Sequence, residues 1–188
     1  MSTILEVSGV SKAFGSLKVI DGFDFELAEG EALGIIGPNG AGKSTLFNLI
    51  TGSLKPNSGS IRFEGVDITQ FPAYRRCRLG IGRSYQIPHP FKGMTVFENL
   101  LVGAAFGKNQ SEVQSYDACA RILDLTGLLE KSNVLAGQLT LLERKRLELA
   151  RALATSPRAL LLDEIAGGLT EPEIQELIET ISFIRSEN

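Results

Sequence analysis

The sequence predicts an α/β fold made of an N-terminal antiparallel β subdomain, a parallel-sheet core and a helical lobe. Three observations carry that expectation. Apolar and polar residues alternate between positions 3 and 27, the period of paired strands with one buried face. The run Ala159-Leu160-Leu161-Leu162 is apolar without alternation, which suits a strand buried on both faces, as in a parallel sheet. Residues 95–158 carry helical spacing and no strand pattern, and form the predicted lobe. The chain is expected to be one domain, with 1–94 and 159–188 as the core.

The elements follow in order. Leu5 and Val7 alternate with Glu6 and Ser8, and Phe23, Phe25 and Leu27 alternate with Asp24 and Glu26. Phe14-Gly15-Ser16 and Asp21-Gly22 supply turns. After a turn at Ala28-Glu29-Gly30-Glu31, the apolar run Ala32-Leu33-Gly34-Ile35-Ile36 predicts a further strand. A helix follows from the Ser44 region to Thr51, and Gly52 stops it as a C′ glycine. Ser60 to Phe63 predicts a short strand, Pro72 to Leu79 a basic helix, and Ile81 to Tyr85 another strand. Gln86-Ile87-Pro88-His89-Pro90-Phe91 is excluded from regular structure by its prolines. Thr95-x-x-Glu98 and Thr140-x-x-Glu143 are capping boxes, each opening a helix. Between them, 111–130 predicts one or two helices with Ile122, Leu123, Leu125 and Leu128 inward. Residues 171–186 place Ile174, Leu177, Ile178, Ile181 and Ile184 on one helical stripe.

The chemistry concentrates between the predicted strand at 32–36 and the helix after it. Gly37-Pro38-Asn39-Gly40-Ala41-Gly42-Lys43-Ser44-Thr45 fits G-x-x-x-x-G-K-[ST] at every fixed position, with a strand pattern before it and a helix pattern after. Glycines leave successive backbone N–H groups able to point inward at an anion. The opening helix adds its unpaired N–H groups and the positive end of its dipole. Lys43 then reaches the β- and γ-phosphates of a nucleoside triphosphate, and the Ser44 hydroxyl sits on Mg²⁺. This is the loop that defines the P-loop NTPase fold. Asp163 and Glu164 end the predicted buried strand, where ligands of parallel sheets bind. In that context Asp163 is the candidate metal-holding acid and Glu164 the candidate base for the attacking water.

Bulk properties narrow the classes. The chain has 188 residues, 43% hydrophobic and 22% charged, with a net charge of −3, so no overall basic field recruits nucleic acid or an anionic surface. The apolar runs are too short to span a bilayer, and the first residues lack a signal-peptide pattern. Two cysteines, Cys77 and Cys119, and a single histidine, His89, exclude a Cys/His zinc site. Reduced thiols and a cytosolic location are the expectation.

The phosphate loop, the Gln86 loop, the helical lobe and Leu147-Glu148-Leu149-Ala150-Arg151-Ala152-Leu153 before Leu162-Asp163-Glu164 together resemble the ABC transporter ATPases over essentially the whole chain. Arg83-Ser84-Tyr85-Gln86, Met94-Thr95-Val96-Phe97-Glu98-Asn99-Leu100 and the run from Arg144 to Arg151 are similar to the branched-chain amino-acid importer ATPases within that family. The resemblance implies an ATP-hydrolysing subunit on the inner face of the cell membrane that dimerises head to tail, as a homo- or heterodimer. It implies ATP and Mg²⁺ as cofactors and a membrane permease docked on the loop after Gln86. Phe14 matches the aromatic that stacks on adenine, although a hairpin Phe reads equally well from the sequence. Gln86 matches the glutamine that reaches Mg²⁺ and the attacking water. Lys43, Gln86 and Glu164 are then catalytic, Ser44, Gln86 and Asp163 hold the metal, and Thr140 belongs to the signature that faces the other protomer's nucleotide.

The pattern departs from the family in two places. The signature Leu-Ser-Gly-Gly-Gln falls on Leu139-Thr140-Leu141-Leu142-Glu143. The Thr140 hydroxyl can still accept from the Glu143 N–H and donate to a phosphate, with Glu143 turned back onto the Thr140 N–H, so the altered site is expected to stay competent. Ile165 and Thr170 replace the family's Pro and Asp after Glu164. The family continues past this helix with a strand and a histidine at the γ-phosphate, whereas this sequence ends at Asn188. The expectation is a C-terminally truncated domain that binds ATP·Mg²⁺ but hydrolyses it poorly. The other classes carried are a catalytically weak nucleotide-binding fragment, a lipopolysaccharide-export ATPase, and a soluble non-transport ATPase acting on ribosomes or DNA. For the last, Arg75, Arg76, Arg78 and Arg83 are the basic cluster, whose plain reading is a solvated helix face; no nucleic acid is expected.

Overall fold

The computed structural model describes residues 2–108 and 112–186. Its chain forms two compact units, residues 1–79 and 80–188.

The first unit is built on β1 (Thr3–Phe14) and β2 (Leu17–Ala28), an antiparallel hairpin closed by Gly15 at a φ of 60°. β3 (Ser58–Phe63) adds to the other edge of β1, and β4 (Val66–Asp67) to β3, giving the order β2-β1-β3-β4. Ile4, Leu5, Val7, Val10, Ile61 and Phe63 are buried from these strands. Glu64 and Gly65, with φ of 50° and 77°, make the two-residue turn between β3 and β4, since paired left-handed residues match the twist of a tight hairpin. At Gly59 a Cβ would stand 2.4 Å from the Gly9 carbonyl oxygen, so β1 and β3 cross more closely than any side chain permits.

Two helices complete this unit: α1 (Lys43–Ile50), buried through Leu46, Leu49 and Ile50, and α2 (Ala73–Leu79). Gly52 follows α1 with φ 78°, and a Cβ there would meet the Arg76 Nε at 2.7 Å. That arginine corrects the reading of a solvated basic face. Arg76 is 0% exposed. Its guanidinium donates to the carbonyls of Leu49 (2.7 Å), Ile50 (2.9 Å), Phe71 (2.9 Å) and Thr69 (2.9 Å). The last carbonyls of a helix have no partner within it, and the cation meets both them and the negative end of the dipole. Burial lowers the Arg76 guanidinium to about 10, which leaves it charged at neutral pH. Arg75 instead lies over the Phe71 ring, 3.7 Å from its centroid.

A second correction concerns residues 32–36. They join neither sheet of the described residues, and no strand forms there. Leu33 is 48% and Ile36 98% exposed. The stretch has strand composition, but a strand exists only with a ladder partner to take its N–H and C=O groups.

In the second unit β5 (Ile81–Ser84) pairs in parallel with β6 (Ala159–Leu162), from Ile81 opposite Ala159 to Ser84 opposite Leu162. The chain between them runs through α3 (Val96–Lys108), α4 (Glu112–Leu125) and α5 (Leu141–Ala154). Val96, Leu100, Leu123, Leu128, Leu147 and Ala150 form their shared core. Cys119 is buried in the same core and Cys77 is half-buried, and neither forms a disulfide among the described residues. The last helix, α6 (Glu171–Ser186), packs Leu177 and Ile184 against Leu149 of α5.

The capping boxes form as written. Thr95 accepts from the Glu98 N–H at 3.1 Å while Glu98 accepts from the Thr95 N–H at 2.7 Å. At α5 Glu143 accepts from the Thr140 N–H at 2.8 Å, and the Thr140 hydroxyl accepts from the Glu143 N–H at 3.4 Å. A further carboxylate caps α6: the Thr170 N–H and hydroxyl both donate to Glu173, at 2.8 and 2.7 Å.

Candidate functional site

The loop from Gly37 to Gly42 folds as its glycines require. Gly40 and Gly42 have φ of 83° and 93°, in the left-handed region that residues with a Cβ rarely adopt. Gly42 stands at the N-cap of α1 and, having no side chain, makes no side-chain cap hydrogen bond. The Lys43 ammonium folds back over the loop, donating to the carbonyls of Gly37 at 2.6 Å and Pro38 at 3.0 Å. Ser44 follows in the first turn of the helix. Left-handed glycines, a helix N-terminus and a lysine folded over the loop are the features an anion site is built from.

The hairpin end lies against this loop. A Cβ at Gly42 would approach the Val19 Cγ1 at 3.1 Å and the Val19 carbonyl oxygen at 3.2 Å. Val19 is two residues from the β1–β2 turn, where Phe14 pairs with Leu17. Phe14 is exposed there, with the Lys12 ammonium 5.4 Å from its ring centroid. An accessible aromatic ring thus stands at the hairpin end that also packs on the phosphate loop.

The second unit brings together the remaining candidates. Asp163 leaves the carboxyl end of β6, and its Oδ2 accepts from the Arg83 Nη2 of β5 at 2.9 Å. Both side chains are 6% exposed. Arg83 therefore belongs to a buried ion pair, which corrects its place in a solvated basic cluster. Glu164 takes a φ of 44°, and its carboxylate accepts from the Gln86 side-chain amide. Non-glycine residues held in this region are strained, and such strain gathers at functional sites. Thr140 caps α5, whose Lys145 reaches the same place: its ammonium donates to the carbonyl of Gln86 at 2.6 Å and to that of Glu164 at 3.4 Å.

Further along the same face of α5, Glu148 is buried and lies against the backbone N–H groups of Tyr85 and His89. Burial raises its carboxyl above the ordinary range, against the pull of Arg151. Arg151 donates to the His89 carbonyl at 2.9 Å and sits over the Phe91 ring, 5.0 Å from its centroid. Lys145, Glu148 and Arg151 recur every three residues, so one face of α5 holds the irregular loop from 85 to 91. Nothing in the sequence marks Lys145 or Glu148 for this role, since α5 also carries Glu143, Arg144 and Arg146.

The ABC transporter family matches residues 20–167, most of the chain and both halves of this chemistry. The chain belongs to that family. The high-affinity branched-chain amino acid transport ATP-binding protein BraF of Pseudomonas aeruginosa is 38% identical, over 98% of this chain and 78% of BraF. LivG of Escherichia coli, of the same description, is 37% identical over 97% of this chain and 77% of its own length. Among solved structures, a nucleotide-free ATP-binding cassette from an ABC transporter superposes with a TM-score of 0.89 at 32% identity, covering all of this chain and 79% of that one. The ABC ATPase chain is thus an ATP-binding, ATP-hydrolysing type of subunit by family. Subunits of this kind work with membrane permeases; no described helix of this ABC ATPase is long and apolar enough to cross a membrane itself.

Proposed function

We propose that this ABC ATPase powers an importer for branched-chain amino acids, hydrolysing ATP with Glu164 as the base for the attacking water. The observation that carries the catalytic part is the hydrogen bond from the Gln86 amide to the Glu164 carboxylate, beside Asp163 at the end of β6. The amide holds the carboxylate in one orientation, as a base must be held, and a glutamine there can also bind the water that Glu164 activates. Lys43 and the loop amides from Gly37 to Thr45 neutralise charge on the transferred phosphoryl group, and Phe14 offers a stacking face for adenine.

The donor set fits Mg²⁺. Ser44, Gln86 and Asp163 supply a hydroxyl, an amide oxygen and a carboxylate, the hard oxygen ligands that ion prefers. When bound there, the ion would supply positive charge against the phosphate oxygens. The ion pair with Arg83 already fixes the Asp163 carboxylate in place, so its remaining coordination is preorganised.

The Thr140 hydroxyl and the N-terminus of α5 complete the nucleotide site of a facing protomer in a head-to-tail dimer. The retained capping box supports that role, because it turns the Glu143 carboxylate away from an incoming phosphate. The exposed Ile87 and Phe91 of the loop after Gln86 support a permease contact, with the subunit peripheral on the inner face of the membrane. The cargo rests on the names of the relatives. Residues 95–158 act as the helical lobe in this scheme.

Glu164→Gln tests the catalytic assignment. Turnover should fall by about 100-fold or more while ATP affinity stays within a few-fold of wild type. A variant that kept most of its turnover would remove Glu164 from the reaction. Stimulation of turnover in membranes carrying the cognate permease, by leucine, isoleucine or valine with the binding protein, tests the cargo. Stimulation by an unrelated solute alone would replace it.

A further inference from the structure

Three candidate features lie outside the roles already assigned: the buried Arg76 under α1, the buried hydroxyl of Ser84 in β5, and the charged stripe of α5. Arg76 is fully used in holding helix carbonyls. The buried Ser84 hydroxyl has no hydrogen-bond partner among the described residues, which by itself points to no ligand. The stripe on α5 goes further, because it reaches both residues assigned to the water-activating pair.

The side chains of Gln86 and Glu164 bond to each other, and the carbonyls of the same two residues both accept from the Lys145 ammonium. The three residues close a ring: Gln86 amide to Glu164 carboxylate, Glu164 backbone to Lys145, Lys145 to Gln86 backbone. Lys145 is 4% exposed, with aliphatic stem and head both out of water. An ammonium carries three donors and no acceptor, so it can serve two carbonyls at once, which no neutral side chain of its length does as well. It meets Glu164 where the backbone is strained, at φ 44°. A strained residue persists only when its surroundings over-determine it, and a charge-assisted hydrogen bond to its carbonyl is such a constraint. Two turns of α5 extend the grip: Glu148 accepts from the backbone at Tyr85 and His89, and Arg151 donates to the carbonyl of His89.

We propose that Lys145 is a positioning residue for ATP hydrolysis, setting the distance between the backbones of Gln86 and Glu164 so that their side chains meet. Through it, the helix opened by the signature Thr140 carries the loop that follows Gln86. The proposal rests on the assignment of Gln86 and Glu164 to the reaction, but the backbone constraint can be measured without turnover.

Hydrogen exchange of the full chain, compared among wild type, Lys145→Met and Lys145→Arg, tests it. Lys145→Met should speed exchange in the segments 85–91 and 164–168 by about fivefold or more, with the amides of α5 and α3 unchanged. Lys145→Arg, which keeps a buried cationic donor, should restore most of the protection. In an assembled, turning-over transporter the Met variant should lose roughly 10- to 100-fold in kcat with KM for ATP held within about twofold. Unchanged exchange in both segments of Lys145→Met would overturn the proposal. So would exchange raised throughout α5, which would make Lys145 a packing residue, or an Arg variant as loose as Met. Absent turnover in wild type, with the exchange pattern as expected, would fail the catalytic reading of Gln86 and Glu164 and leave the constraint standing.

Discussion

Arg83 and Asp163 face each other at the carboxyl end of the parallel pair β5–β6, Nη2 to Oδ2 2.9 Å, both nearly out of water. Each is the last or next-to-last polar group before a loop that carries chemistry: Gln86 follows Arg83 by three residues and Glu164 follows Asp163 directly. Removing one partner leaves the other charged and buried. Arg83→Met should destabilise the chain by about 3–5 kcal/mol, and Arg83→Met combined with Asp163→Leu by much less. Urea unfolding of the two variants checks it; equal losses would mean that the pair does not act as one unit.

Arg76 gives a second prediction. Arg76→Met removes a side-chain donor to the carbonyls of Leu49 and Ile50 at the end of α1. The carbonyls of Ile50, Phe71 and Thr69 lose this donor at about 1–3 kcal/mol each, while that of Leu49 keeps the Gly52 N–H at 3.3 Å, so the variant should lose about 3 kcal/mol or more. Because α1 carries the phosphate loop at its other end, ATP affinity should weaken with it. Thermal unfolding and nucleotide titration measure the two effects separately.

Gly42→Ala should abolish measurable ATP binding while leaving the rest of the fold intact. Its φ of 93° penalises any Cβ, and that Cβ would press on Val19 at 3.1 Å. Isothermal titration with ATP reads the loss; unchanged far-UV circular dichroism confirms that the sheet survives.

Acid should loosen three helices together. Hydrogen bonds from Thr95 and Thr170 hold the Glu98 and Glu173 carboxyls below their ordinary range, and Lys131 with Thr140 does so for Glu143. A lowered folded-state pKa adds stability that is complete above the unfolded value, near 4.5, and fades as pH falls below it. Melting temperature should therefore drop more steeply below pH 4.5 in wild type than in a chain with Thr95, Thr140 and Thr170 changed to Ala. Glu143→Gln alone should cost about 1 kcal/mol or less at neutral pH and leave ATP turnover near wild type.

What could be read in the sequence was local. The phosphate loop and the boxes at Thr95 and Thr140 each lie within a few residues, so their spacing states their geometry. Thr170-x-x-Glu173 carries the same spacing, and the Glu173 carboxylate caps α6. The Gln86–Glu164 bond spans 78 residues; the family resemblance gives each residue a role but states no bond between them. Arg76, Arg83 and Lys145 were not legible. A charged residue in a periodic run reads as solvated, and what keeps each of them buried lies 27, 80 and 59 residues away respectively. Residues 32–36 erred the other way: their composition states a strand, but composition cannot state whether a neighbouring strand is there to bond it.

That stretch has a practical side. Ala32-Leu33-Gly34-Ile35-Ile36 is short, uncharged and β-prone, and in the described residues its backbone finds no ladder. Such a segment is a template on which another chain can add a strand, and nothing within it guards against this, neither lysine nor proline. Preparations of this polypeptide should precipitate as concentration rises. Replacing Ile36, which meets almost only water, with lysine should keep it in solution.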